Sequence, residues 1–192
     1  PDRVMDALSG LGLWPDGRLL ALNSYENRVY RAHLDEPVQG HGAVVAKFYR
    51  PGRWSREQIL EEHAFAAELM AAEVPMVGPL VLHGASLHHW DGFAFSVSPR
   101  RGGRSPELDD TEVLEWIGRL LARFHTVGAS KAFAHRPALT VHSHGWEPMQ
   151  WLLEVTDAGP RHLRFVANTH QDGTAGCGAT VRNPRQRIAV AG

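Results

Sequence analysis

The apolar positions of this chain change their period several times, and each change marks an element. A short helical pattern, Val4-Met5-Asp6-Ala7-Leu8, stops at Gly10 and Gly12, and Pro15-Asp16-Gly17 reads as a turn. Residues 19–23 and 28–34 then read as two strands joined by Ser24-Tyr25-Glu26-Asn27. After a loop over residues 37–42, the β-branched and aromatic run Ala43-Val44-Val45-Ala46-Lys47-Phe48-Tyr49 predicts a third strand, ended by Pro51-Gly52. Ser55 and Gln58 have the spacing of a capping box and open a helix that runs to about Ala72, with Ile59, Phe65, Ala66, Leu69 and Met70 as its apolar stripe. Residues 77–82 and 92–97 predict two more strands separated by a polar segment at 83–91, and residues 99–106 form a glycine- and arginine-rich connector. A long helix follows, capped by Asp109 and Glu112, with Val113, Ile117, Leu120, Leu121 and Phe124 on one face and Gly128 at its end. One helix inserted among five largely antiparallel strands predicts an α+β domain.

Composition narrows the class without naming it. The 192 residues are 43% hydrophobic and 21% charged, which suits a chain that buries a real core. A net charge of −1 excludes a dominant basic surface, so no nucleic-acid partner is expected. No apolar run approaches the roughly 18 residues needed to cross a bilayer, so no membrane partner is expected either. The single cysteine, Cys177, fits a reducing compartment and a cytoplasmic protein. No signal peptide opens the chain, and Pro1 stands where a methionine would, so the native start is expected to be missing.

Charge is unevenly spread. Up to Val155 there are 15 basic and 19 acidic residues; from Thr156 onward there are 5 and 2, with no lysine, no glutamate and no sustained period. Two parts are expected from this: residues 1–155 as folded protein, and residues 156–192 as a divergent, out-of-frame or disordered ending.

Three features could carry chemistry. Lys47 shares a strand face with Val45 and Tyr49 in a strand otherwise built for burial. It is either a lysine snorkelling from a strand edge or a cation held over a polyanion. Glu62 projects from the apolar face of its helix, with Ile59, Phe65, Ala66 and Leu69 around it, and an inward carboxylate needs a partner. Lys47 is the available one; a purely structural ion pair and an exposed helix-edge glutamate are the plain alternatives. The loop from Ser24 to Asn27 could aim backbone N–H groups at a phosphate, although most such turns merely connect strands. In this order the three make up the nucleotide-binding parts of a protein-kinase amino-terminal lobe, with the connector after the fifth strand as the hinge.

The resemblance then becomes specific. Ala21-Leu22-Asn23-Ser24-Tyr25-Glu26-Asn27-Arg28-Val29-Tyr30, Val45-Ala46-Lys47-Phe48-Tyr49-Arg50-Pro51 and Gln58-Ile59-Leu60-Glu61-Glu62-His63 resemble the bacterial stress-response Ser/Thr protein kinases, which are related to aminoglycoside and choline phosphotransferases. Glu73-Val74-Pro75, Gly102-Gly103-Arg104, Arg123-Phe124-His125 and His135-Arg136-Pro137 continue the likeness over residues 1–155. It implies a protein-kinase-like fold: a five-stranded amino-terminal lobe with one inserted helix over residues 1–98, then a hinge and the start of a truncated helical carboxy lobe over 99–155. It also implies ATP and Mg²⁺ as cofactors and a protein substrate with Ser or Thr. Lys47 would hold the α- and β-phosphates, Glu62 would orient Lys47, Ser24 would lie against the phosphates with Asn27 nearby, and backbone groups from Ser98 to Arg100 would meet the adenine. His125 is expected as a packed structural residue.

Phosphoryl transfer in that family needs a His-Gly-Asp-x-His-x-x-Asn loop and a later Asp-x-Asp-Asp segment for Mg²⁺, and neither motif occurs in the sequence. In the nearest string, His170-Gln171-Asp172-Gly173, the second histidine is missing and Cys177 replaces the asparagine, so Asp172 reads as a chance match. No catalytic residue and no metal ligand is therefore assigned. His88-His89 and His142-x-His144 lack the spacing of a closed zinc site and read as solvated loop histidines. The expected function is that of an ATP-dependent Ser/Thr kinase represented without its catalytic loop. A small-molecule phosphotransferase and a catalytically dead nucleotide-binding fragment are the alternatives.

Overall fold

The structure, a computed structural model, describes residues 2–155. The chain divides into two compact units after Val127. The expectations for residues 156–192, including Asp172 and Cys177, lie outside the described residues.

The first unit is built on a five-stranded antiparallel sheet of order β1-β2-β3-β5-β4. Its elements are α1 (Asp2–Ser9), β1 (Pro15–Leu22), β2 (Arg28–Val38), β3 (His41–Phe48), α2 (Arg56–Ala71), β4 (His88–Trp90), β5 (Phe93–Pro99) and α3 (Thr111–Gly128). Strand alternation gives the sheet two different faces. Ala32, Leu34, Val44, Ala46, Phe95 and Val97 share one face and form a core with Val4, Ala7 and Leu8 of α1. Phe48 sits among them, stacked on Phe95 at 5.0 Å between ring centroids. The intervening residues, Val45, Lys47 and Tyr49, take the other face, where Tyr49 packs with Ile59 of α2 and with Leu87.

Several boundaries differ from the expected ones for identifiable reasons. Pro15-Asp16-Gly17 does not end a turn; it opens β1 through an irregular register, with the Asp16 carboxylate accepting from the Arg18 backbone N–H. The strand expected at 77–82 is absent. Pro79 has no N–H to give a ladder, and the segment makes one bond to β5, from Leu80 N–H to the Val97 carbonyl at 2.7 Å. The fourth strand comes instead from the polar separator. His88–Trp90 pairs with β5 across Asp91 and Gly92, whose φ values of 48° and 81° make the left-handed two-residue turn that Asp-Gly favours. His88 and His89 are thus strand residues, not loop residues.

In α2 the Ser55–Gln58 capping box is present in both directions, whereas Met70 is 50% exposed and drops out of the apolar stripe. The helix ends with Glu73 N–H on the Met70 carbonyl and Val74 N–H on the Leu69 carbonyl, and with Glu73 at a φ of 56°. Arg123 of α3 donates to the carbonyls of Ala72 and Glu73 at 3.2 and 2.7 Å, covering that helix end. Asp110, not Asp109, caps α3 by accepting from Glu112 N–H at 2.8 Å. His125 is exposed rather than packed.

The described part of the second unit holds a short π-helical turn (His142–Trp146) and α4 (Glu147–Val155). His144 lies in that turn, and His142 pairs with Glu147 at 3.0 Å on an exposed surface.

Candidate functional site

The site is assembled where β3 runs beneath α2. Lys47 faces Val29 on β2 and Ser96 on β5 in the ladder, so its side chain leaves the middle of the sheet on the face opposite the α1 core. Its Nζ donates to Glu62 Oε1 at 3.0 Å. The two side chains retain 25% and 18% of their exposure, which makes the pair half-buried and still reachable. Nζ also lies 4.9 Å from the centroid of the Tyr49 ring, where the ring quadrupole attracts a cation. An ammonium has three donors and the carboxylate uses one, so this lysine has donors left for an anion.

Behind the ion pair lies a buried polar cluster that sequence reading missed. The Tyr49 hydroxyl is 2.8 Å from His63 Nε2 and 3.2 Å from Ser96 Oγ, and His63 Nδ1 is 2.9 Å from Ser86 Oγ. Tyr49 and His63 are 4% and 6% exposed. The sequence carries a signal for it: His63 stands four residues after Ile59 and three before Ala66, on the stripe that the helix buries.

The strand-joining loop is tied to the segment after β3. Ser24 Oγ donates to the Asn27 carbonyl, and Asn27 Oδ1 accepts from Arg50 N–H at 3.3 Å. Glu26, unassigned from sequence, accepts from Trp54 Nε1 at 2.6 Å and from Arg53 Nε at 3.2 Å. Both expected loop residues are thus engaged in holding the loop's own shape. Ser98 lies opposite Val45 on β5, two positions along from Ser96 and on the Lys47 face of the sheet. The Arg100 backbone N–H donates to the Ala43 carbonyl at 3.0 Å and extends the β3–β5 ladder, while its side chain is exposed.

The geometry therefore joins Lys47 to Glu62 directly. It puts Ser98 on the same sheet face, and it fixes Ser24 and Asn27 in a separate tethered loop. Among the described residues no group of three or more His, Cys, Asp or Glu could hold a metal ion. The described residues therefore do not build a Mg²⁺ site. No helix among the described residues is long and apolar enough to cross a membrane.

Known proteins share both sequence and fold with this chain. Stress response kinase A of Shigella flexneri and of Escherichia coli K12 are each 42% identical to it over 156 residues, 81% of this chain and 46% of theirs. Serine/threonine protein kinase RdoA of Salmonella typhimurium is 41% identical over 150 residues, 78% of this chain and 44% of its own. The chain thus spans a little under half the length of these relatives. Amicoumacin kinase hAmiN, solved with AMP-PNP, Ca²⁺ and Ami, shares the fold at a TM-score of 0.71 and 16% identity, covering 96% of this chain and 56% of its own. The α+β, protein-kinase-like architecture expected from the order of strands and helices is therefore the fold of this chain. The sequence profile of the phosphotransferase enzyme family matches residues 18–172, and the chain belongs to that family.

Proposed function

We propose that this chain is the nucleotide-gripping portion of an ATP-dependent Ser/Thr protein kinase of the bacterial stress-response type. The observation that carries the proposal is the 3.0 Å contact between Lys47 and Glu62, a half-buried cation held at a fixed point with donors to spare. In phosphoryl transfer most of the work is positioning and charge stabilisation, and a strand lysine paired with a helix glutamate does both for the α- and β-phosphates.

In this reading Lys47 contacts the phosphates and Glu62 orients it. The tethered loop with Ser24 and Asn27 covers the phosphates, offering backbone N–H groups more than side chains. Ser98 and the Arg100 carbonyl side of the chain border the adenine. Residues 1–98 act as the amino-terminal lobe and 99–155 as the hinge and first part of the carboxy lobe. Mg²⁺ accompanies ATP, its protein ligands being outside this set of residues, and the protein works in the cytoplasm.

The Ser/Thr protein substrate is supported by relatives at 41–42% identity that carry kinase names, one of them a serine/threonine protein kinase. A small-molecule phosphotransferase is the second reading, favoured by the fold shared with amicoumacin kinase; at 16% identity that likeness weighs less.

Because the sequence contains no His-Gly-Asp-x-His-x-x-Asn loop to supply the carboxylate that takes the hydroxyl proton, the chain should bind ATP without transferring phosphate. The test is incubation with γ-labelled ATP and Mg²⁺ alongside a Ser/Thr-rich protein and, separately, an aminoglycoside. No label should move to either acceptor. Transfer abolished by Lys47→Ala would overturn the claim that the catalytic apparatus is missing, and the labelled acceptor would decide between protein kinase and small-molecule kinase.

A further inference from the structure

We propose that Tyr49 is a positioning residue for Lys47, acting through a second, buried link between β3 and α2; this rests on the reading of Lys47 as the phosphate-binding cation. Lys47 and Tyr49 are neighbours on one face of the same stretch, and Glu62 and His63 are consecutive on α2. Two connections therefore join α2 to the same stretch of chain, one from within β3 and one from the residue just after it. The outer one is the ion pair, Nζ to Oε1 at 3.0 Å, with both partners partly open to solvent. The inner one is the Tyr49 hydroxyl against His63 Nε2 at 2.8 Å, with both partners almost fully enclosed.

The two connections respond differently to a ligand. An arriving polyanion competes with Glu62 for the ammonium, so the outer link can loosen when the site is in use. The inner link has no such competitor, and a buried polar group released from its partner is costly, so it persists. It is also fixed from two further sides. Ser96, the ladder partner of Lys47 on β5, lies 3.2 Å from the Tyr49 hydroxyl, and Ser86 lies 2.9 Å from the second ring nitrogen of His63. Tyr49 thus sets where α2 sits along β3, which sets whether Glu62 reaches Lys47. Its ring, 4.9 Å below Nζ, holds the ammonium from beneath.

The test is a double-mutant cycle read by calorimetric titration of ATP with Mg²⁺ into the 192-residue chain, using wild type, Tyr49→Phe, Lys47→Ala and the double variant. Tyr49→Phe keeps the ring and removes the hydroxyl; it should weaken ATP binding about 5-fold, the equivalent of one buried hydrogen bond. In the Lys47→Ala background the same change should have no further effect, since there is no ammonium left to place. An equal loss in both backgrounds would show a merely structural role and overturn the proposal. So would wild-type affinity in Tyr49→Phe while Lys47→Ala binds weakly. Unchanged affinity in Lys47→Ala alone would instead sink the phosphate-binding reading and the proposal with it. If Tyr49→Phe does not fold, His63→Gln and His63→Leu replace it in the same cycle. Glutamine, able to accept from the tyrosine and donate to Ser86, should bind ATP more tightly than leucine; equal affinities overturn the inner link.

Discussion

A lysine in the middle of a sheet is an expense that most strands avoid, and at Lys47 the surroundings show how it is met. Glu62 supplies the countercharge, the Tyr49 ring supplies a polarisable floor, and partial exposure keeps desolvation incomplete. His88, the first residue of β4, is handled less generously. Its Nε2 is buried with no hydrogen-bond partner, and its ring sits 5.7 Å from that of Phe95. Burial first, and then the nearby imidazoles of His83 and His89, hold its pKa below the ordinary value of 6.5, against the opposing effect of a hydrogen bond that the ring donates to the Ala85 backbone. The folded state therefore binds this proton less readily than the unfolded chain, so stability is intact above pH 6.5 and falls as the pH drops below it. Urea unfolding at pH 7.5 and pH 5.5 should show the wild type losing more stability on acidification than His88→Leu. Identical pH dependence in the two proteins would mean that this histidine carries none of the linkage.

The elements divide into those whose ends are chemically marked and those whose ends are not. The amino-terminal end of α2 is marked: Gln58 N–H bonds Ser55 Oγ at 3.2 Å and Ser55 N–H bonds Gln58 Oε1 at 2.8 Å. Ser55→Ala should cost about 1 kcal/mol in urea unfolding, whereas Ser55→Gly should cost only a few tenths of a kcal/mol, since glycine tolerates the cap conformation. Equal costs would remove the cap from the stability of the helix. This marking is why the start of α2 could be read from sequence, as could β3, whose β-branched run has no rival interpretation. The fourth strand could not be found the same way. Residues 77–82 look more apolar than His88–Trp90, yet pairing was decided by the missing N–H of Pro79 and by the Asp91-Gly92 turn. Local composition yields there to hydrogen-bonding capacity. The ion pair was foreseeable because Glu62 conflicts with its helix face and so demands a partner. His63 and Tyr49 were overlooked because a histidine and a tyrosine in a buried stripe raise no such conflict; only the spatial approach of two distant segments reveals their contact.

For the molecule as a whole, the phosphotransferase family supplies the fold, and the sheet of that fold has one face closed by α1 and another that carries Lys47, Tyr49 and Ser98. The long helix α3 stands apart in character. Val113, Ile117, Leu120 and Phe124 on its expected inner face are only half-buried, and Trp116 is 66% exposed beside them. An open groove lined by Asp110, Glu112, Val113, Trp116, Ile117 and Leu120 follows that side of the helix. In a chain that spans a little under half the length of the relatives it matches, the sheet-side site is better formed than this helix surface. The central claim is consequently about the sheet: an ammonium on β3, held by a carboxylate on α2, binds the phosphates of a nucleotide. It is tested most directly by titrating ATP and adenosine separately into wild type and Lys47→Ala. Removing one charge-assisted contact to phosphate should weaken ATP binding about 10-fold and leave adenosine binding unchanged. Equal ATP affinity in the two proteins would contradict the assignment of Lys47 to the phosphates.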